Sequence, residues 1–313
     1  MKTPMPTGQV VLRNVLFATD FSAASMRALP YAANLARQYG AKLYASHVVP
    51  IESYLLGDAQ AKERLRVAKT EAESNLSELV RSPAVGSIPT TTLLDNGDIW
   101  SVLQGFIEQY SVDMLVVGTT GRSGLGKVLL GSVAEEAIRE SPCPVLTVGR
   151  RTPEEAAIRL RNILYASDFS ADSLVAAPYA FSLAEKFQAC PTLLHVIPSL
   201  PESPYLDAQM ARVRLEEIAS AHAPLAAAPD VVVEMGSPAN MILKVAGDLE
   251  ADLIVIGARG AGALPRLASH FGSIAHKVVS HAHCPILTVG GSRAESTGGT
   301  LPRAGHNKES AAE

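Results

Sequence analysis

The stretch RNVLFATDFSAASMRALPYAANLARQYGAKLYASHVVP, residues 13–50, returns at residues 161–198 as RNILYASDFSADSLVAAPYAFSLAEKFQACPTLLHVIP. The two segments align without a gap, and half of their positions are identical. Further matches join residues 113–118 to 252–257 and residues 131–149 to 272–290. The repeat is roughly 140 residues long, which is the size of one compact domain and far longer than a solenoid unit. The sequence therefore predicts one fold that occurs twice in tandem.

We place the first domain at residues 9–149, the second at residues 160–290 and a disordered tail at residues 291–313, which carry almost no large apolar side chain. The chain is 47% hydrophobic and 19% charged, with a net charge of −4. This composition is typical of globular domains and lacks the basic character of a nucleic-acid binder. No apolar run reaches the roughly 18 residues of a membrane span, and the first residues lack the hydrophobic segment of a secretory signal. We therefore expect a cytoplasmic protein that binds neither nucleic acid nor membrane.

Short apolar runs alternate with stretches of helical period along each domain. In the first domain the predicted strands are residues 15–19, 42–49, 88–94, 114–117 and 144–148. Helices are predicted from a Ser22 cap to Gly40, over 60–80, from an Asp98 cap to 109 after an Asn96-Gly97 turn, and over 132–139. The second domain repeats this order, with strands near 162–167, 192–196, 231–235, 253–256 and 285–289. Right-handed crossovers then give an α/β fold: two tandem doubly wound domains, each with a five-stranded parallel sheet flanked by helices.

Cysteine usage indicates a reducing compartment, because three cysteines cannot all pair and none has CxxC spacing. Cys143 and Cys284 precede the last strand of their domains, where we expect core packing rather than redox chemistry. The cluster HAHC at residues 281–284 resembles a metal site. Its counterpart at residues 140–143 is ESPC, so we predict no metal site.

An aspartate follows the first strand of each domain, Asp20 in one and Asp168 in the other. Ligands of open parallel sheets bind at the carboxyl ends of the strands, where the winding reverses direction. A carboxylate at that place can accept a hydrogen bond from a ribose or a base edge, or it can cap the next helix. The position alone leaves both interpretations open.

A glycine-rich loop, GTTGRSGLGKVLLGS at residues 118–132, follows the fourth strand. Gly118 ends the strand, Gly121 permits a turn, and Gly131 with Ser132 opens a helix, so backbone N–H groups and a hydroxyl converge. Such a helix N-terminus favours phosphate.

The same loop also contains a P-loop pattern, GxxxxGK, at residues 121–127. Val128 stands where a Ser or Thr hydroxyl should hold Mg²⁺, and the pattern follows the fourth strand rather than the first. We interpret this match as coincidence.

The aspartate after strand one, His47-Val48 near the end of strand two, and the spacing Gly118-x2-Gly121-x9-Gly131-Ser132 resemble the ATP-binding subgroup of the universal stress protein family. The resemblance covers both domains, as in a tandem member. It implies that the aspartate and the backbone of the valine meet adenine and ribose, while the glycines and the serine hold the phosphates. The implied ligand residues are Asp20, Val48, Gly118, Gly121, Gly131, Ser132 and Val133 in the first domain, and Asp168, Val196, Gly257, Gly260, Gly272, Ser273 and Ile274 in the second.

The second domain departs from this pattern, because eleven residues instead of nine separate Gly260 from Gly272. The two extra residues must bulge or reroute the phosphate cradle. Nucleotide binding in the second domain therefore stays open at this point.

The resemblance implies a regulatory protein of the stress response that binds ATP, with or without Mg²⁺, and acts through conformation or through protein partners that the sequence does not identify. His47 and His195 recur in apolar strands without a triad-type partner, which favours a structural role. We find no catalytic constellation in the sequence and expect at most slow ATP hydrolysis. The alternatives are a nucleotide-handling enzyme, such as an ATPase or adenylyl transferase, and a nucleotide-free interaction module.

Each domain ends in a short strand at the edge of its sheet, residues 144–148 and 285–289. An edge strand exposes unpaired backbone groups and tends to be covered or paired. Because similar family members dimerise through this strand, we expect the two edges to pair within the chain as a pseudo-twofold dimer, with further homodimers through other faces.

Overall fold

The computed structural model describes residues 10–50, 59–119, 130–152, 158–198, 204–222, 228–260 and 273–290. The predicted disordered tail, 291–313, lies outside the described residues. The first domain contains β1 (Asn14–Ala18), α1 (Ala23–Met26), α2 (Leu29–Tyr39), β2 (Lys42–Pro50), α3 (Ala59–Val80), β3 (Thr90–Gly97), α4 (Ile99–Gln109), β4 (Met114–Gly118), α5 (Ser132–Glu140) and β5 (Val145–Val148). The second contains β6 (Asn162–Ala166), α6 (Ala171–Phe187), β7 (Cys190–Ile197), α7 (Pro204–Ala221), β8 (Asp230–Met235), α8 (Pro238–Asp248), β9 (Leu253–Gly257), α9 (Ser273–His281) and β10 (Ile286–Val289).

The described strands form one ten-stranded sheet in the order β3-β2-β1-β4-β5-β10-β9-β6-β7-β8. Neighbours within each half are parallel, which confirms the predicted doubly wound α/β fold of two five-stranded sheets. β5 and β10 pair antiparallel, so the two predicted edge strands do meet within the chain.

The joint between the halves has a local twofold pattern. Leu146 lies opposite Leu287. The Thr147 hydroxyl donates to the carbonyl of Ile286 at 3.2 Å, and the Thr288 hydroxyl donates to the carbonyl of Val145 at 3.2 Å. The predicted pseudo-twofold arrangement of the domains is thereby confirmed.

Helices cover both faces of the sheet, as the all-apolar central strands predict. Alternate residues of β1 enter different cores: Val15 and Phe17 belong to one cluster of buried side chains, and Leu16 belongs to the other. At the joint, Leu146 and Leu287 extend the first cluster across both domains. Each core is thus continuous from one domain into the next.

The predicted helix from Ser22 to Gly40 is in fact two helices, α1 and α2, with a break at residues 27–28. Pro30 lies in the first turn of α2, where a backbone N–H would have no partner within the helix. The same missing N–H and the proline ring disfavour a continuous helix from α1 into α2. The counterpart of Pro30 in the second domain, Pro178, lies inside the continuous helix α6. A proline at this position is therefore compatible with a break in the helix but does not by itself cause one.

The third strand was also placed wrongly. β3 begins at Thr90 rather than at residue 88, and the Asn96-Gly97 pair does not form a turn. Both residues remain in the ladder, opposite Val49 and Pro50 of β2. Pairing with a long neighbouring strand outweighs the local turn preference, and Asp98 then caps α4 as predicted.

A repeated aspartate fixes the start of the first strand in each domain. The Oδ2 atom of Asp113 accepts the N–H groups of Arg13 and Asn14 at 2.7 and 2.8 Å. Asp252 holds the start of β6 in the same way, at 2.7 and 2.9 Å. These repeated polar residues therefore have a structural role, at the edge of the sheet opposite the carboxyl ends of the strands.

Cys284 is buried in the apolar cluster that contains Leu16, and Cys143 is partly buried against that cluster. Cys190 is exposed. Burial raises the pKa of the Cys143 thiol to about 11 and that of Cys284 to about 12. Within the described part of the chain, no helix combines the length and apolar character that crossing a membrane requires.

Candidate functional site

The winding of each domain reverses at its first strand, which leaves a crevice at the carboxyl ends of the strands. β1 lies between β2 and β4, and β6 lies between β7 and β9. The loops that follow β1 and β4 form the walls of the first crevice, and those that follow β6 and β9 form the walls of the second. The sequence-predicted site residues that the structure describes lie in or beside these loops, or near the ends of the neighbouring strands β2 and β7.

Asp20 and Asp168 each hold a tight turn at the entrance to the next helix. The Oδ1 atom of Asp20 accepts the N–H of Ser22 at 3.0 Å, and Asp168 accepts the N–H of Ser170 at 3.0 Å. The helix caps are Ser22 and Ser170 themselves, whose hydroxyls accept N–H groups of the first turn. The capping interpretation of the two aspartates is therefore wrong, since both stand two residues before the cap.

Phe21 and Phe169, directly after the aspartates, adopt left-handed backbone conformations with φ of 60° and 61°. A bulky residue in this region costs about 1–3 kcal/mol, and such strain clusters at functional sites. Their rings lie 4.7 Å from the ring of His47 and 4.4 Å from that of His195. Sequence reasoning missed these phenylalanines, although the DFS triplet is identical in both domains.

Both repeated histidines are hydrogen-bonded to the backbone that precedes the aspartate. His47 Nδ1 donates to the carbonyl of Thr19 at 2.7 Å, and His195 Nδ1 donates to the carbonyl of Ser167 at 2.8 Å. Burial lowers the pKa of His195 below its ordinary value, so the neutral ring is favoured. This geometry supports the structural role predicted for the histidines, which orient the turn at the crevice.

Val48 and Val196 place backbone groups beside the aspartates. Ser46 accepts the N–H of Thr19 at 3.0 Å, so the backbone of Ser46 points toward β1. The backbone groups of alternate strand residues point to the same side. Those of Val48, two residues after Ser46, therefore also point toward β1, but beyond its last residue. The bond from the Ser167 N–H to Leu194, at 2.9 Å, gives Val196 the equivalent position. Both valine side chains are buried.

Gly118 and Gly257 are required by helix packing. A Cβ atom on Gly118 would lie 2.8 Å from the Cα of Ser25, and one on Gly257 would lie 2.6 Å from the backbone nitrogen of Ser173. Side chains cannot be accommodated at those distances. Close approach of a helix explains both glycines without a ligand, and their place in the ligand set remains a prediction.

The amino terminus of α5 is held at the end of β4. The N–H of Gly131 donates to the carbonyl of Thr119 at 2.7 Å, and Thr119 in turn donates to Val148 at 3.0 Å. Gly131 occupies the cap position and offers no side-chain cap, so the first amides of the helix, at Ser132 and Val133, have no acceptor within the helix. The described geometry brings this helix terminus to the strand that neighbours β1.

Three predicted ligand residues, or their side chains, lie outside the part of the chain that the structure describes. Gly121, with the P-loop-like residues 121–127, and Gly272 lie outside the described residues, as does the side chain of Ser273. Ile274 lies in the first turn of α9 and is 37% exposed.

The second crevice contains an ion pair that the sequence did not suggest. Arg259 donates from Nε to Asp172 Oδ2 at 2.8 Å, from a terminal nitrogen to Oδ1 at 3.2 Å, and from its backbone N–H to Oδ2 at 3.1 Å. Hydrogen bonding to the carboxylate raises the pKa of Arg259. Gly260 lies beside this pair, where a Cβ would come within 2.9 Å of Asp168 Oδ2.

The first crevice thus combines a carboxylate, the end of β2 beyond its pairing with β1 and a helix N-terminus. These groups suit recognition of a polar ring system that carries an anionic group. Among the described residues, no group of three or more His, Cys, Asp or Glu side chains could hold a metal ion. A duplicated, doubly wound α/β protein with a crevice at the carboxyl ends of its strands is the class that this fold defines.

Comparison with known proteins identifies the family. The model of the universal stress protein family matches residues 12–149 and 159–290, so the chain belongs to this family and contains two of its domains. A universal stress protein of Methanocaldococcus jannaschii is 30% identical over 149 residues, which cover 47% of this chain and 88% of that protein.

Solved structures share the fold. A universal stress protein of Archaeoglobus fulgidus matches 88% of this chain and 98% of its own, with a TM-score of 0.68 and 22% identity. A universal stress protein in complex with cAMP matches 41% of this chain and 95% of its own, with 22% identity and a TM-score of 0.31. The Archaeoglobus match extends the shared architecture across both domains.

Proposed function

We propose that the first domain binds ATP and that the protein is a nucleotide-dependent regulator of the stress response, which acts through its conformation or its choice of protein partner. The observation that supports this proposal is the convergence of Asp20, the Val48 backbone and the amino terminus of α5 on one crevice. The cytoplasmic location and a homodimer of the whole chain stay predictions.

The three groups divide the nucleotide between them. Asp20 is suited to accept hydrogen bonds from a ribose hydroxyl or the adenine amino group. Val48 offers one N–H and one C=O to the base edge. Ser132, Val133 and Gly121 supply N–H groups and a hydroxyl for the phosphates. Mg²⁺, if it accompanies ATP, would be held mainly by the phosphates, as is usual for this ion.

We propose binding without rapid turnover. Fast hydrolysis would need a general base or a metal cage beside the terminal phosphate, and the carboxylate of the site, Asp20, lies at the strand end assigned to the nucleoside. An ATPase or an adenylyl transferase remains the alternative. Phosphate release from the purified protein, measured at saturating ATP, distinguishes the regulator from the enzyme.

Calorimetric titration of ATP into Asp20→Ala tests the assignment. Loss of a hydrogen bond to a charged group costs about 1.5–3 kcal/mol, so affinity should fall roughly 10- to 100-fold. The matched control is Asp113→Ala, which removes two backbone hydrogen bonds at the opposite edge of the sheet. This control should lower the stability of the fold and leave ATP affinity unchanged. A folded Asp20→Ala protein with wild-type affinity would refute the assignment.

A further inference from the structure

The ion pair Asp172–Arg259 joins the two walls of the second crevice. Asp172 lies in the first turn of α6, and Arg259 lies in the loop after β9. The Ser170 hydroxyl adds a bond of 3.3 Å to the carbonyl of Arg259. The walls are therefore tied together at the place where the crevice would open.

The pair directs the backbone N–H, Nε and one terminal nitrogen of Arg259 to a carboxylate of the protein rather than to a phosphate. Arg259 belongs to the segment Gly257-x2-Gly260, which corresponds to the start of the glycine loop in the first domain. Its backbone N–H and its guanidinium both point at the Asp172 carboxylate. A carboxylate resembles a phosphate in presenting anionic oxygens in a fork that matches a guanidinium.

Burial makes this internal anion hard to displace. The side chain of Asp172 is 8% exposed, whereas that of Arg259 is 51% exposed. A phosphate that took over the donors of Arg259 would weaken the pairing of a buried carboxylate and place a second negative charge beside it. The fold therefore favours the internal pair over an incoming phosphate.

The first domain lacks both partners. The alignment of the repeats places Ala24 opposite Asp172 and Thr120 opposite Arg259. The side chain of Ala24 has no group that can accept a hydrogen bond from the loop. The two domains thus differ in sequence at the two positions that pair in the second crevice, in addition to the longer loop of the second domain.

We propose that Asp172 is an internal substitute for phosphate in the second domain, and that the Asp172–Arg259 pair makes the two domains unequal, so that the chain binds one ATP molecule. This inference rests on the proposed ATP site of the first domain. We therefore expect that exchanging Asp172 and Arg259 with their counterparts in the first domain decides which crevice accepts a nucleoside triphosphate.

The test counts ATP sites by calorimetric titration of the full chain. Wild type should bind one ATP, and the double variant Asp172→Ala, Arg259→Thr should bind two. The reverse exchange, Ala24→Asp with Thr120→Arg, should reduce the count to zero. A matched control, Lys244→Ala with Asp248→Ala, removes an exposed ion pair of α8 in the same domain and should leave one site.

A second set of variants identifies the domain that binds and controls for folding. In an Asp20→Ala background, the Asp172→Ala, Arg259→Thr exchange should restore one site. Asp172→Asn keeps the size of the side chain and should also open the second site, with at least tenfold weaker affinity than the first. Circular dichroism establishes that each variant is folded.

Two results would overturn the inference: two sites in the wild type, or a folded exchange variant that still binds one. A wild type without any site, together with an exchange variant that binds one, would refute the proposed ATP site of the first domain and the count of one ATP per chain, and would uphold only the role of Asp172 in closing the second crevice. Absence of binding in every variant would overturn both.

Discussion

Replacing Thr147 and Thr288 by valine, singly and together, tests the joint between the two domains. Each hydroxyl donates to a carbonyl of the opposite strand at 3.2 Å, and the two residues are 0% and 2% exposed. Valine has nearly the same shape, so the main change is the loss of one buried hydrogen bond. Such a bond contributes about 1 kcal/mol. We expect each single variant to lose about 1–2 kcal/mol and the double variant about twice that.

Denaturant unfolding with circular dichroism measures these losses. The twofold pattern of the joint requires the two single variants to be equally destabilised, and unfolding should remain one transition because the cores are continuous across the joint. Thr92→Val, at an exposed position of β3, controls for the exchange of hydroxyl for methyl. A large loss in one single variant and none in the other, or losses no larger than that of the control, would refute the assigned strand pairing.

Two further predictions concern individual residues. Gln188 ends α6 in a left-handed conformation with φ of 53°, and the first domain has Gly40 at the equivalent position. Because glycine adopts this conformation without strain, Gln188→Gly should raise the free energy of unfolding by about 0.5–1 kcal/mol. An unchanged denaturation midpoint would contradict this prediction. At pH 8 an alkylating reagent should modify the exposed Cys190 first. Burial raises the pKa of Cys143 to about 11 and that of Cys284 to about 12, so both thiols stay almost wholly protonated. Peptide mass spectrometry locates the first adduct, and a first adduct at Cys143 or Cys284 would disprove the prediction.

Sequence reasoning succeeded wherever the signal is local and periodic. The alternation of apolar strands and helices predicts the α/β class, and the sequence repeat predicts two domains. The pairing of their last strands followed from their edge position together with the family resemblance. Sequence reasoning was less accurate at element ends. The break before Pro30 and the extension of β3 through Asn96-Gly97 depend on packing against neighbouring elements, which a local pattern does not contain.

The candidate site divides in the same way. The sequence locates Asp20 and Asp168 after the first strands, because strand ends can be read from the pattern. The capping alternative could be decided only from the turn geometry, in which Ser22 and Ser170 are the caps. The left-handed Phe21 could have been suspected from its exact recurrence, but its conformation is a property of the folded turn.

What the sequence by itself determined is the repeat, the order of strands and helices and the places where a ligand can approach, since each follows from spacing along the chain. What only the tertiary structure decided is which distant residues meet. Gly118 must be glycine because α1 crosses the end of β4, and Asp172 pairs with Arg259 although they stand 87 positions apart. Neither side of the Asp172–Arg259 pair forms a motif, because their interaction arises only when the strands that carry their loops lie side by side in the sheet.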